Sequence, residues 1–424
     1  MPEPQDLDIL RIGADGDGVA ILPGGDPAYL ADTLPGERIH VTTYAKRGQG
    51  WAATGDLLTL SAERQAPPCP YFGTCGGCTL QHWQDAPYAA WKSAQVQAAL
   101  GRAGFADVIM APLGRTPPGA RRRVDLALER EGATVRVGLH RHRGQDVIDL
   151  QSCLVLEPKL IALIDALRRV MPTISALRHT GSALANLLDS GIDLMLRTDG
   201  PLEATDRTKL AALARHIGAC RISWAFRDGP SEAAGQLEPA IIRLAGVEVS
   251  PPAGAFLQAS QAGEAAITAA VLAGLPEKLA ARAYAVELFA GCGTLTFALA
   301  ERLRVVAYEG NAEATAAVRR AIAGRRIEAV QRDLARQPLT VKELSGAAAI
   351  VLDPPYTGAA LQMPAIAASG VERVIYVSCN PQALARDAKM LRDAGYAVLQ
   401  ATPVDQFLWS AAIESVVVFG RGKR

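Results

Sequence analysis

From about residue 255 onward the chain repeats one rhythm, a short apolar run followed by a helix-periodic run, and this limits the possible folds more than any other feature. After ITAAVLAGL come AVELFA, TLTFALAERL, VVAYEG, AEATAAVRRAIA, IEAVQRD, AAIVLDPP, VERVIYVSCNP, QALARDAKMLRDAG and VLQATPVDQF. Apolar runs without polar alternation suit strands covered on both faces, and the intervening helices supply the cover. The pattern predicts an α/β fold whose C-terminal domain, 251-424, is a doubly wound, Rossmann-like parallel sheet. Ligands of such sheets sit beyond the carboxyl ends of the strands.

Upstream the pattern changes twice. Segments DILRIG, GVAILP and RIHVTTYA, separated by the turns ADGDG and PGGDP, predict a small N-terminal β-barrel over 1-62. SAERQAPPCP, broken by prolines, reads as a linker. Over 63-250, WKSAQVQAALGRAG is helix-periodic while RVDLALER, TVRVGLHR and DVIDLQSC alternate, which predicts a central, mainly antiparallel α+β domain. A length of 424 residues suits two or three cores rather than one. No apolar run approaches the roughly 18 residues of a membrane helix, and MPEPQDLDIL lacks a signal peptide's basic start and apolar stretch. The expectation is a cytoplasmic monomer that does not engage membranes.

Charge is uneven along the chain although the net is only +1. Residues 1-40 hold eight acids and two bases. Residues 111-145 invert this, with Arg115, Arg121, Arg122, Arg123, Arg130, Arg136, Arg141 and Arg143 against Asp125, Glu129 and Glu131. The second stretch reads as a phosphate-contacting surface or as a solvated charged face. Seven cysteines without a secretory signal favour metal-binding or catalytic thiols over disulfides.

AVELFA runs into GCGTLTFALAERL, so Gly291 and Gly293 lie where a strand turns tightly into a helix. Such a loop suits a dinucleotide or S-adenosylmethionine. The spacing Glu287-x-x-x-Gly291-x-Gly293, with Thr296 where a dinucleotide fingerprint has Gly or Ala, favours the second. Glu309, ending the next strand, suits two ribose hydroxyls, and Asp333, closing a third, suits adenine. A glycine turn kept only for packing is the plainer alternative.

Further along, IVLDPP and VIYVSCNP place Asp353 and Cys379 at two more strand ends on the same sheet edge. A free thiol near a pKa of about 8.5 needs a helix N-terminus or a nearby cation to act as a nucleophile at neutral pH. NPQALARDAKML starts a helix directly after Cys379. Glu414, in AAIESVVVF, is the candidate general base. The plainer readings are a buried small hydrophobe for Cys379 and a solvated strand-edge residue for Glu414.

With these residues in order, the chain resembles the RNA 5-methyluridine (uracil-C5) methyltransferases, in particular the bacterial 23S ribosomal RNA members that carry an iron-sulfur cluster. The resemblance covers nearly the whole chain: an N-terminal barrel similar to a TRAM or OB-like domain, Cys69-x5-Cys75-Gly-Gly-Cys78, Cys153 in DLQSC, the FLQAS segment and SCNP. It implies S-adenosylmethionine as methyl donor and a covalent adduct between Cys379 and uracil C6, with Glu414 removing the C5 proton. It further implies a 4Fe-4S cluster on Cys69, Cys75, Cys78 and Cys153, for which a four-cysteine zinc site is the rival. Gln258, Phe289, Gly291, Gly293, Thr294, Glu309, Asp333 and Asp353 fall on cofactor positions, and Arg121, Arg122, Arg123 and Phe256 are placed to meet the RNA. The implied partner is RNA, 23S ribosomal RNA ahead of transfer RNA. The rival from another class is an RNA-binding or assembly factor whose active site has drifted.

The chain also departs from the family pattern. Thr294 stands where ribosomal members often have Asn, and Tyr356 replaces the Arg of D-P-P-R. The usual F-P-H-T-x-H-x-E becomes Phe407-Leu408-Trp409-Ser410-Ala411-Ala412-Ile413-Glu414, which removes both histidines.

Overall fold

The computed structural model describes residues 1–422. The chain forms two compact units, one of Met1–Lys92, Leu139–Ile148 and Phe407–Ala412, the other of Ser93–Gly138, Asp149–Gln406 and Ile413–Arg424.

In the first unit, residues 5 to 59 build a six-stranded sheet. Its order is Gln5–Asp8, Arg38–Arg47, Gly50–Thr59, Pro27–Leu30, Gly18–Ile21 and Arg11–Ile12. Alternation along Arg38–Arg47 buries Ile39 and Val41, which join Ile9, Ala20 and Leu30 in one small core. The proline-rich stretch expected to act as a linker is instead fastened to this sheet. Arg64 Nε and Nη2 donate to Glu37 at 2.5 and 2.8 Å, and the Gln65 amide donates to the His82 carbonyl at 2.8 Å. Prolines ended the strand here without freeing the chain, because backbone donors found partners nearby.

Phe407–Ala412 is held by the same unit. The amides of Thr79 and Leu80 both donate to the Trp409 carbonyl at 2.9 Å, and the Trp409 amide donates to Tyr88 Oη at 2.8 Å. Lys92, fully buried, donates to the carbonyls of Phe407 and Ala412.

In the second unit, the central sheet includes, in order, Arg123–Glu131, Thr180–Leu188, Gly191–Thr198, Ala219–Phe226 and Glu232–Gln236. Most pairs are antiparallel. The exception joins Gly191–Thr198 to Ala219–Phe226 in parallel, with the helix Ala204–Ile217 as the crossover.

The C-terminal sheet has eight strands, ordered Ile327–Gln331, Arg304–Glu309, Tyr284–Leu288, Ala349–Leu352, Arg373–Ser378, Glu414–Gly420, Ala397–Asp405 and Gly114–Arg115. The first five run parallel. Ala349–Leu352 is buried at every position, as a strand with helices on both faces must be. The expected parallel order then stops. Residues 406 to 413 form no crossover helix, so Glu414–Gly420 returns antiparallel and inserts between Arg373–Ser378 and Ala397–Asp405. Two pieces of the expected central segment join this layer. Gly114–Arg115 pairs with the sheet edge, and the helix Asp85–Arg102 contributes Val96, Ala99 and Leu100 to the core that holds Leu352 and Tyr376.

Leu100 is fully buried in that core. Leu100→Ala should destabilise the second unit by about 2–5 kcal/mol, measured by chemical denaturation followed through tryptophan fluorescence. A change below about 0.5 kcal/mol would show that the helix does not pack there.

Candidate active site at the carboxyl edge of the C-terminal sheet

The five parallel strands end on one edge, and the expected site residues follow them in turn. Phe289 to Gly293 succeed the first strand, Glu309 ends the second and Asp353 directly follows the fourth. Asp333 lies two residues past Gln331, where the third strand stops, so it caps the following turn rather than closing a strand. Cys379 follows Ser378. The antiparallel return brings in Glu414: Ser378 pairs with Ser415, so Cys379 and Glu414 occupy the next positions on facing strands.

The glycine turn is shaped by its backbone. Phe289, Gly291 and Gly293 have φ of 64°, 55° and 97°. A Cβ on Gly293 would lie 2.5 Å from the Phe297 ring, whereas one on Gly291 would project into open space. Gly291 is therefore needed for its conformation and for the room above it, where a ligand can approach the backbone. The Glu309 carboxylate accepts from the amides of Gly291 at 2.8 Å and Asn311 at 2.7 Å, one on each oxygen. Each oxygen keeps a further lone pair, so the residue remains able to accept two ribose hydroxyls. Donor set and open cradle both fit the nucleoside part of S-adenosylmethionine.

Four side chains, three of them buried and Asp353 half-buried, form a hydrogen-bonded chain at this edge. Gln258 Nε2 donates to Asp353 Oδ2 at 3.2 Å, and Gln406 Nε2 donates to Gln258 Oε1 and to Glu414 Oε2, both at 2.8 Å. Glu414 is only 4% exposed, which removes the solvated-edge reading, and its Oε1 is buried without a partner. Gln406 escaped the sequence reading. It lies eight residues before Glu414 in an irregular stretch, and its only signal was a polar residue directly after an apolar strand.

Electrostatics here run against the expected thiol activation. A helix, Pro381–Asp393, does begin after Cys379, with Asn380 as its cap. Burial nevertheless pushes the thiol up to about 12, and the negative charges of Glu414 and Asp353 add to the effect. Burial also raises Asp353 and Glu414 themselves, with Asp353 raising Glu414 further. All three groups therefore hold their protons more tightly than free ones do. A cationic ligand beside them favours ionisation of each.

The arginine run does less at the surface than its sequence suggests. Arg122 is 4% exposed. Its Nη2 meets Glu264 at 2.5 Å and its Nε meets the Gln258 carbonyl at 3.1 Å, so it fastens the FLQAS segment instead of facing solvent. Arg130 donates to four backbone carbonyls, Arg136 pairs with Glu129 and Glu131, Arg141 with Asp146, and Arg143 with Asp17. Arg121 Nε donates to the Arg123 carbonyl. The Arg123 guanidinium lies 5.3 Å from the centroid of Phe256, whose ring is 66% exposed.

Tyr356, 68% exposed, sits on the loop after Asp353, and its carbonyl accepts from Asn380 Nδ2 at 2.9 Å. The same loop is fixed by the buried pair Tyr376 and Asp387: Tyr376 Oη donates to Asp387 at 2.6 Å, and the Ala359 amide donates to the same oxygen at 2.7 Å.

Cys69, Cys75 and Cys78 occupy one segment of the first unit and Cys153 a turn of the second; all four are half-buried. Among the described residues, no group of three or more His, Cys, Asp or Glu side chains is gathered to hold a metal ion. No helix among them is long and apolar enough to cross a membrane.

A doubly wound sheet with this cradle, acid and half-buried thiol defines a methyltransferase fold. The solved tRNA (uracil-54, C5)-methyltransferase of Pyrococcus abyssi, in complex with S-adenosyl-L-homocysteine, has the same fold. Its TM-score is 0.74 at 21% identity, with 98% of this chain and 99% of that one covered. The tRNA (uracil-5-)-methyltransferase family profile matches residues 277–422. An uncharacterized RNA methyltransferase of Brucella suis is 40% identical, over 99% of this chain and 98% of its own length. The 23S rRNA (uracil(1939)-C(5))-methyltransferase RlmD of Pectobacterium atrosepticum is 32% identical, over 95% and 91%. The chain belongs to the RNA uracil-C5 methyltransferase family.

The raised thiol has a measurable consequence. Alkylation of Cys379 by iodoacetamide, followed by peptide mass spectrometry in the free protein, should keep accelerating with pH beyond the point, about 8.5, where an ordinary thiol levels off. A plateau near neutral pH would show that the helix start, not burial, governs the thiol.

Proposed function

We propose that the protein transfers a methyl group from S-adenosylmethionine to C5 of a specific uridine in RNA, through an adduct between Cys379 and C6. The observation that carries this reading is the pairing of Ser378 with Ser415, which makes Cys379 and Glu414 the next positions on facing strands, with Glu414 Oε1 buried and unpartnered. The substrate proposed is 23S ribosomal RNA, with transfer RNA the alternative. The similarity to a 23S rRNA enzyme over nearly the whole chain supports that order.

Uracil C5 is a weak nucleophile, and a covalent detour divides the difficult step. As its proton passes to solvent, Cys379 Sγ bonds to C6 and the C5–C6 π pair moves to C5 and O4. S-adenosylmethionine, held by Gly291, Gly293, Thr294, Phe289, Glu309 and Asp333, supplies the methyl group on a sulfonium. Gln258 and Asp353 orient the two reactants at the strand ends. With C5 methylated, Glu414 Oε1 takes the C5 proton, the double bond re-forms and the Cys379 thiolate leaves.

RNA is met by Arg121, Arg123 and Phe256. The exposed Phe256 and Tyr356 rings offer faces on which unstacked bases can lie. Arg122 acts behind them by holding Gln258. The resemblance also supports a 4Fe-4S cluster on Cys69, Cys75, Cys78 and Cys153, four thiols of the kind such clusters use. It takes no part in the chemistry above.

Methyl transfer from labelled S-adenosylmethionine to unmodified 23S ribosomal RNA and to transfer RNA, read by nucleoside mass spectrometry, tests the proposal. One RNA should acquire 5-methyluridine, and Cys379→Ala should abolish it. Failure with both RNAs despite cofactor binding would reject the substrate. Glu414→Gln should accumulate a protein–RNA adduct on denaturing gels; wild-type release would place the base elsewhere. Phe256→Ala and Tyr356→Ala should each raise KM about tenfold with kcat little changed, as loss of one stacked base implies. Anaerobic purification should yield about four irons per chain, and a colourless zinc protein would reject the cluster.

A further inference from the structure

We infer that Gln406 is a positioning residue for the base: by donating to one oxygen of Glu414 it selects the other to remove the proton, and it stabilises the carboxylate form. The inference rests on the catalytic role proposed for Glu414.

Gln406 is 3% exposed, and all its polar capacity is directed. Its Oε1 accepts from the Ala259 amide at 3.1 Å, a backbone donor that fixes which end of the side-chain amide faces which way. Flipping the amide would set its NH2 against the Ala259 N–H and its oxygen against Gln258 Oε1, donor against donor and acceptor against acceptor. Nε2 therefore points at Gln258 Oε1 and Glu414 Oε2, giving one hydrogen to each at 2.8 Å. Among the described residues this amide is the one side-chain donor to Glu414. Oε2 is occupied, and Oε1, buried and unpartnered, is left for the proton on C5.

Packing holds the amide in place. A Cβ on Gly263, in the first turn of the helix Gln261–Ala273, would lie 2.7 Å from Gln406 Cβ and 3.0 Å from its Oε1. The helix can approach only because that position has no side chain.

The ionised form needs such a donor. Glu414 faces Asp353 at the end of one strand and Cys379 at the end of another, and each disfavours a second negative charge beside it. Opposing them are the Gln406 amide and the Ser415 backbone N–H. Gln406 also touches Gln258, which in turn holds Asp353. The same nitrogen thus aligns the proposed cofactor residue and the base.

The test uses Gln406→Met, which keeps the length of the side chain and removes both hydrogens, and Gly263→Ala, which displaces Gln406 without altering it. Adduct formed with the substrate RNA is followed on denaturing gels as a function of pH. Losing the donor favours the protonated, inactive form of Glu414, so resolution of the adduct should slow about tenfold near neutral pH and recover when pH is raised by about one unit. Gly263→Ala should shift the profile in the same direction, and it reports if Gln406→Met does not fold. Equal slowing of both variants at every pH, or wild-type behaviour of both, would overturn the inference while leaving the proposed function standing. A wild-type protein that turns over without any adduct would overturn both.

Discussion

Three ionisable groups, the half-buried Cys379 and Asp353 and the buried Glu414, are crowded at one sheet edge, and the arrangement of the site follows from that single constraint. An isolated buried carboxylate is strongly disfavoured, and the protein's usual remedies are a cation or a proton. Here the immediate partners of the carboxylates are amides, Gln258 and Gln406. Amides ease a buried charge without fixing it permanently, so protonation can change during a reaction cycle. An arginine in their place would hold the carboxylates ionised throughout. The raised thiol belongs to the same balance, because it is a reservoir of one proton in a site that must release one and later take one up.

The scaffold meets this constraint by a reversal of strand direction. Parallel strands with helical crossovers carry Gly291, Glu309, Asp353 and Cys379 to a common edge. A further parallel strand would have put Glu414, the first residue of its strand, at the opposite edge. The antiparallel return places that first residue beside the last residues of its neighbours, paired with Val404 and next to Ser378. One change of direction therefore adds a base to a nucleotide-binding edge.

Much of this was legible in the sequence, for identifiable reasons. The 3.6-residue and apolar periods of 251-424 gave the strands and helices of the C-terminal sheet, because strands buried on both faces carry a strong signal. The residues at strand ends followed from that. Gln406 and the fate of Arg122 were not legible. Both depend on contacts between segments more than 130 residues apart, Gln406 with Gln258 and Arg122 with Glu264, and local pattern carries no trace of such pairs. The arginine stretch misled for a related reason: a guanidinium bonded to four carbonyls, as in Arg130, looks in one dimension like one facing a phosphate. The proline-rich stretch at 61-70 was read by its breakers, and its anchor, Glu37, lies far upstream.

The stretch Phe407–Ala412, which leads into Glu414, takes its hydrogen bonds from Thr79, Leu80, Tyr88 and Lys92. A ribosome makes those four residues long before it makes the stretch they hold. During synthesis the receiving site can therefore be complete and waiting when the last strand emerges, and the segment before the base is the final piece to be captured. A C-terminal fragment cut at the start of the matched family region would retain the nucleotide-binding turn and both Cys379 and Glu414, yet have nothing to grip the approach to its base. The order of the gene thus makes the N-terminal segment a template for the stretch that it later captures.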